Sequence, residues 1–306
     1  MDLSPEGDPS VAAEPGRGQV AVAAATERGA LPNLIVIGAQ KCGTSGLHFY
    51  LGLHPEIQMS QPKEVNFFIR ERNWDRGVDW YRGLFDPSIP IRGEASPNYT
   101  AEPVFSGVPA RMHSVLPDVR LIYMVRDPIE RIGAHWVHNF AKQRTQTGLT
   151  ETLERDRTTY VARSLYHSQL SRFLEYYSLD QVLIVEQEDL RADRDKTLRT
   201  VFDFAGVAAD FTHPRFRHER HRTDRKTRPT ELGNRLQHSR AKAARKYVPE
   251  RAWAVASGYW PLAKRIERPA REDLLAAIPD DVLAELREDA GRMRELSGRR
   301  FRRWSI

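Results

Sequence analysis

The chain has 306 residues, of which 40% are hydrophobic and 29% charged, so it can bury a sizeable core and is not disordered throughout. Its formal charge of +6, from 47 basic and 41 acidic residues, favours anionic partners without choosing among nucleic acid, a lipid surface and a small phosphorylated or sulfated ligand. A lone cysteine, Cys42, excludes an internal disulfide and a cysteine-ligated zinc site. No apolar run approaches the about 18 residues of a membrane span. Met1 to Glu6 carry acidic residues in place of the basic start of a signal peptide. The expectation is a soluble, cytoplasmic protein.

Residues 1–31, rich in Ala, Gly, Pro and Glu, read as a flexible tail, and 32–306 as a single domain. The apolar run 34–38 closes on a glycine and suits a parallel strand buried on both faces. A helix follows at 44–53, stopped by His54 and Pro55. Further strands are predicted at 57–60, 91–95, 120–125 and 181–186, with helices at 103–116, 128–142, 160–177 and 196–205. Pro128 fits the first helical position, with Asp127 as its N-cap. Residues 211–231 read as a long polar loop, 279–296 as a closing amphipathic helix, and the arginine-rich stretch 299–304 as a solvated terminus. Alternation of strand and helix predicts an α/β fold, a central parallel sheet flanked by helices.

Between the first strand and its helix lies Gly38-Ala39-Gln40-Lys41-Cys42-Gly43-Thr44-Ser45. A glycine-bearing strand-to-helix turn offers backbone amides and a helix N-terminus to a phosphate, with Lys41 adding charge and Thr44 and Ser45 hydroxyls. Gly38 and Gly43 have the spacing of a nucleoside-triphosphatase P-loop, but Thr44 stands where that motif needs lysine. This weakens an NTP-dependent kinase reading and leaves a P-loop-like phosphate cradle. No metal site is indicated by the spacing of histidines and carboxylates.

This turn resembles that of the sulfotransferases that use 3′-phosphoadenosine 5′-phosphosulfate (PAPS). So do Lys63-Glu64-Val65-Asn66-Phe67-Phe68, Gly93-Glu94-Ala95-Ser96-Pro97-Asn98-Tyr99, Val125-Arg126-Asp127-Pro128-Ile129-Glu130-Arg131 and Arg163-Ser164-Leu165-Tyr166. Within that family the heparan-sulfate-type domain and its bacterial relatives are most similar. The resemblance implies PAPS as co-substrate and its desulfated form, PAP, as product. It assigns Lys41, Gly43, Thr44 and Ser45 to the 5′-phosphosulfate, with Lys41 stabilising the leaving phosphate, and Arg126, Lys226, Thr227 and Arg228 to the 3′-phosphate, with Arg163 and Ser164 as further candidates for a phosphate contact. It makes Glu64 the general base, with His48, His54, His135 and His138 as competitors. Where the family has a serine as second 3′-phosphate ligand, this chain has Ala134, beside His135. Ala95 replaces a lysine associated with acidic acceptors, which argues against heparan sulfate itself and leaves a small-molecule, sugar or glycolipid hydroxyl as acceptor.

Each residue also has a plainer reading. Arg126 and Glu130 make a surface pair, 226–228 an exposed charged loop, Glu64 a surface residue after a turn, and Trp74, Trp80, Tyr81, Tyr99 and Trp136 core rather than cleft. A basic nucleic-acid-binding protein is the remaining alternative, although the resemblance implies no nucleic-acid partner.

Overall fold

The computed structural model describes residues 29–218, 227–230 and 263–306, with backbone alone at 227–229 and 263–265. Five strands form one parallel sheet: β1 (Leu34–Gly38), β2 (Ile57–Met59), β3 (Ile91–Ala95), β4 (Arg120–Val125) and β5 (Val182–Glu186). Their spatial order is β2-β3-β1-β4-β5. The strands are short and mostly buried, as in a parallel sheet covered on both faces, and all five residues of β1 are buried. Parallel pairing sends every strand out of the sheet at the same edge. β1 lies between β3 and β4, pairing Leu34 with Gly93 on one side and with Arg120 on the other. The turns leaving β1, β3 and β4 therefore meet at one edge, where the strand order reverses and open α/β sheets bind ligands.

The helix Pro128–Ala141 begins where expected. Asp127 accepts from the amides of Ile129 at 2.9 Å and Glu130 at 3.3 Å, and Pro128 occupies the first turn without losing a hydrogen bond. A second apolar cluster, including Ile129, Ile132, Leu153, Leu274 and Leu286, fixes this helix against Leu149–Arg155, Arg271–Ala277 and Asp280–Ser297. Gly133 permits that approach, since a Cβ there would lie 2.6 Å from a Leu274 methyl.

Several expected elements differ in extent. The helix predicted at 103–116 starts only at Val108, because Gly107 adopts a left-handed φ of 70° and leaves Val104 and Phe105 outside it. The predicted helix 160–177 is broken into a 3-10 turn at Ala162–Ser164 and a helix at Tyr166–Leu174. The polar loop 211–231 contains a 3-10 turn, Pro214–Arg217, anchored by buried Phe216. It also contains β6 (Thr227–Pro229), antiparallel to β7 (Ala263–Arg265).

The solvated terminus is overturned. Phe301 and Trp304 are buried and stack at 4.2 Å. Arg299 pairs with Glu186 and Asp189, each at 3.1 Å, and Arg303 with Asp189 at 2.6 Å. Two interspersed aromatics supply an apolar anchor that charge counting ignores. Ser305 completes the clasp by donating its amide to Asp127 Oδ2 at 2.8 Å, so this segment braces the residue next to Arg126.

Candidate active site

A cavity of about 1010 Å³ opens at the edge where β1, β3 and β4 end. Lys41, Gly43, Thr44, Ser45, Arg126 and Glu64 all line it, so residues far apart in sequence share one chamber. Among its described lining residues are two lysines, six arginines and a single carboxylate, Glu64. That balance suits a polyanionic ligand.

The turn after β1 is held from below. Ala39 donates its amide to the Met124 carbonyl at 2.7 Å, tying the turn to β4. Arg131, fully buried, donates to the carbonyls of Gln40 at 3.3 Å and Tyr160 at 2.5 Å and to Ser164 Oγ at 2.5 Å. Cys42 packs under the turn 3.4 Å from the Tyr166 hydroxyl, and burial pushes its thiol up to about 11. Gly43 takes a left-handed φ of 91° and caps Thr44–Leu51 without a side chain. A Cβ there would approach the Gln187 amide nitrogen to 3.0 Å. The first-turn amides of that helix have no carbonyl of their own to bond and direct positive partial charge to the cavity.

Arg126 is 2% exposed and donates to Glu130 Oε2 at 2.7 Å and, at 3.5 Å, to the Lys41 carbonyl. The expected pair with Glu130 therefore exists, but it is buried beside the phosphate-type turn rather than on the surface. Arg268 and Arg271 also pair with Glu130, Arg271 at 3.7 Å, and Arg271 reaches Asp127 at 3.5 Å. Burial lowers the pKa of Arg126, with nearby Cys42 and Glu188 opposing the shift.

Glu64 lines the same cavity and keeps 45% of its side chain exposed. Its amide donates to the Ala95 carbonyl at 3.2 Å and Lys63 Nζ donates to its Oε1 at 2.7 Å. Asn66 reinforces the turn, donating its amide to Ser96 Oγ at 2.9 Å and its side chain to the Glu64 carbonyl at 2.7 Å. Lys41 and Glu64 share an unusual backbone, with φ of 74° and 64°. Non-glycine residues in that region carry strain that concentrates at functional sites.

Of the competing histidines, His135 and His138 line the cavity. His48 is bonded to the Ser60 carbonyl and His54 to the Ala208 carbonyl and the Glu56 amide, and neither lines the cavity. None of the five singled-out aromatics lines the cavity. Tyr81 stacks on Phe67 at 4.2 Å and Trp136 on Phe140 at 5.2 Å, as core residues do. Lys226 lies outside the described residues, and at Thr227 and Arg228 only the backbone strand is described. Sequence reasoning missed Gln187, Arg191 and Arg194, which follow β5, and Val104 and Phe105 at the mouth. Their only sequence signal was a position just after a predicted strand or helix start.

Residues 31–251 match the sulfotransferase domain. The chain is 28% identical over 208 residues to the human bifunctional heparan sulfate N-deacetylase/N-sulfotransferase 2, covering 60% of this chain and 23% of that protein. It is 30% identical over 208 residues to the mouse heparan sulfate glucosamine 3-O-sulfotransferase 6, covering 64% of this chain and 58% of that protein. The chain thus spans less than two thirds of either relative's length. A sulfotransferase from Alicyclobacillus acidocaldarius superimposes with a TM-score of 0.56 at 27% identity, covering 74% of this chain and 99% of that one. With the family matched over residues 31–251 and the parallel sheet in place, the chain belongs to the sulfotransferase domain family.

Proposed function

We propose that the enzyme moves the sulfuryl group of PAPS to a hydroxyl of a small-molecule, sugar or glycolipid acceptor. One observation carries the reading: Lys41, Arg126 and Glu64 meet in a single cationic cavity although they leave three different strands or turns. The lining fits a nucleotide with anionic groups at both ends. Gly43 leaves room for close approach, the Thr44–Leu51 helix supplies amides, and Lys41 and Arg126 supply charge.

In the proposed step the acceptor oxygen attacks sulfur in line while the bond from sulfur to the phosphate oxygen breaks. Glu64 takes the hydroxyl proton. Lys41 and the first-turn amides stabilise the negative charge left on the departing phosphate of PAP. Arg126 grips the 3′-phosphate with its guanidinium, joined by Lys226, Thr227 and Arg228. The position of the cation at Lys41, inside the turn rather than after Gly43, disfavours a kinase.

Calorimetric titration with PAP tests the donor. Wild-type binding that is lost in Lys41→Ala and Arg126→Ala variants supports the reading. Absence of wild-type binding defeats it.

A further inference from the structure

The wall around Lys41 holds two nitrogen-bearing side chains that no step above uses. Arg163, in the turn Ala162–Ser164, is 6% exposed, and His135, on the helix Pro128–Ala141, is 4% exposed. Both line the cavity. Arg163 Nε and His135 Nδ1 are shielded from solvent, and neither has a hydrogen-bond partner. Arg163 spends Nη1 on the Thr159 carbonyl at 3.0 Å, and among the described residues it makes no ion pair.

A buried guanidinium without an anion is costly, and so is a buried ring nitrogen without a partner. Burial, then the charge of Arg131, pushes Arg163 down to about 10. Burial, then the charges of Arg131, Lys41 and Arg163, drives His135 well below the usual imidazole range. His135 is thus neutral near pH 7 and keeps one ring proton to donate. The charges acting on it place Lys41 and Arg163 in its neighbourhood. Ala134, the adjacent residue, offers no donor at the position where the resemblance implies a serine.

We propose that Arg163 and His135 form a second oxyanion pocket beside Lys41, which receives a tetrahedral oxyanion of the bound donor: its sulfuryl group or its 3′-phosphate. This rests on the PAPS reading and deepens it. If the group held is the 3′-phosphate, the pocket supplies, from the helix and the broken segment after it, the hydrogen bonds that Ala134 cannot make.

The test is a set of calorimetric titrations of wild type, Arg163→Gln, Arg163→Lys and His135→Phe with PAPS, PAP and AMP, alongside thermal melting. The PAPS-to-PAP affinity ratio reads sulfuryl contact, and the PAP-to-AMP ratio reads 3′-phosphate contact. Arg163→Gln is expected to lower one of these ratios about tenfold to a hundredfold, Arg163→Lys less, and His135→Phe by a smaller factor in the same ratio. The ratio that moves identifies the group held. A purely structural role would lower the melting temperature or all three affinities together and leave both ratios unchanged, which overturns the pocket while the PAPS reading stands. A wild type that binds neither PAPS nor PAP removes the reading and the pocket with it.

Discussion

The two walls of the cavity are built differently. On the Lys41 wall Thr44, Arg126, His135 and Arg163 are buried and Lys41 and Ser45 half-buried, braced by Arg131 beneath the turn and by the C-terminal clasp behind Asp127. On the Glu64 wall the groups are exposed: Glu64 and Arg72 reach solvent, and Val104 is 38% exposed beside them. A buried, prepaid array of donors suits a ligand of fixed shape and charge, because its orientation costs nothing further on binding. An exposed wall of turns tolerates variation in what it meets. The contrast supports a division in which the nucleotide sits on the first wall and the acceptor approaches along the second.

The sharpest way to break that division is Glu64→Gln. Turnover with any accepted hydroxyl should fall by about 10²–10⁴, with PAP affinity unchanged in calorimetry. Lys41→Ala should lose about 10²–10³ in turnover, and here PAP affinity falls as well. If the two variants shift PAP binding equally, the walls do not divide the labour.

A third variant, Trp304→Ala, probes the brace behind the first wall. Removing a ring stacked on Phe301 should cost up to about 3 kcal/mol of stability in denaturant unfolding and should weaken PAP binding through Asp127 and Arg126. Unchanged PAP affinity in the folded variant would show that the clasp stabilises the fold alone.

The smallest effect concerns the floor of the second wall. Glu94 is fully buried, and burial pushes it from 4.5 up to about 7 against a 2.5 Å hydrogen bond from Tyr99. The Tyr99 hydroxyl oxygen also lies 3.5 Å from the Phe68 amide, four residues beyond Glu64. The native state keeps a proton that the unfolded chain releases near 4.5. The contribution is therefore complete below that pH and declines as pH rises towards 7. Glu94→Gln should flatten this part of the melting-temperature profile between pH 5 and 8. A profile identical to wild type would mean that Glu94 ionises freely.

Much of the scaffold was legible. β1, β3 and β4 start and end where expected, most clearly β1, whose five residues are all apolar or glycine and all buried. Asp127 and Pro128 announced their helix by local chemistry alone. The site was legible in part. Glycine and lysine marked the first turn as a phosphate cradle, whereas Glu64 emerged only through resemblance, because a single carboxylate after a turn carries no pattern. Arg163 stood in a motif of the family resemblance and His135 beside Ala134, but their unpartnered nitrogens left no trace in the sequence, since a side chain's lack of partners is a property of its surroundings.

Local sequence determined the strands, the alternation with helices, the glycine-bearing turn and the cap at Asp127, because each depends on neighbours within a few residues. Tertiary structure alone decided that Lys41 and Arg126 touch, that Glu64 shares their cavity, and that Trp304 folds back to brace the sheet edge. Those outcomes follow from strand order and long-range packing. Such contacts join residues whose separation along the chain leaves no periodic trace for a sequence to display.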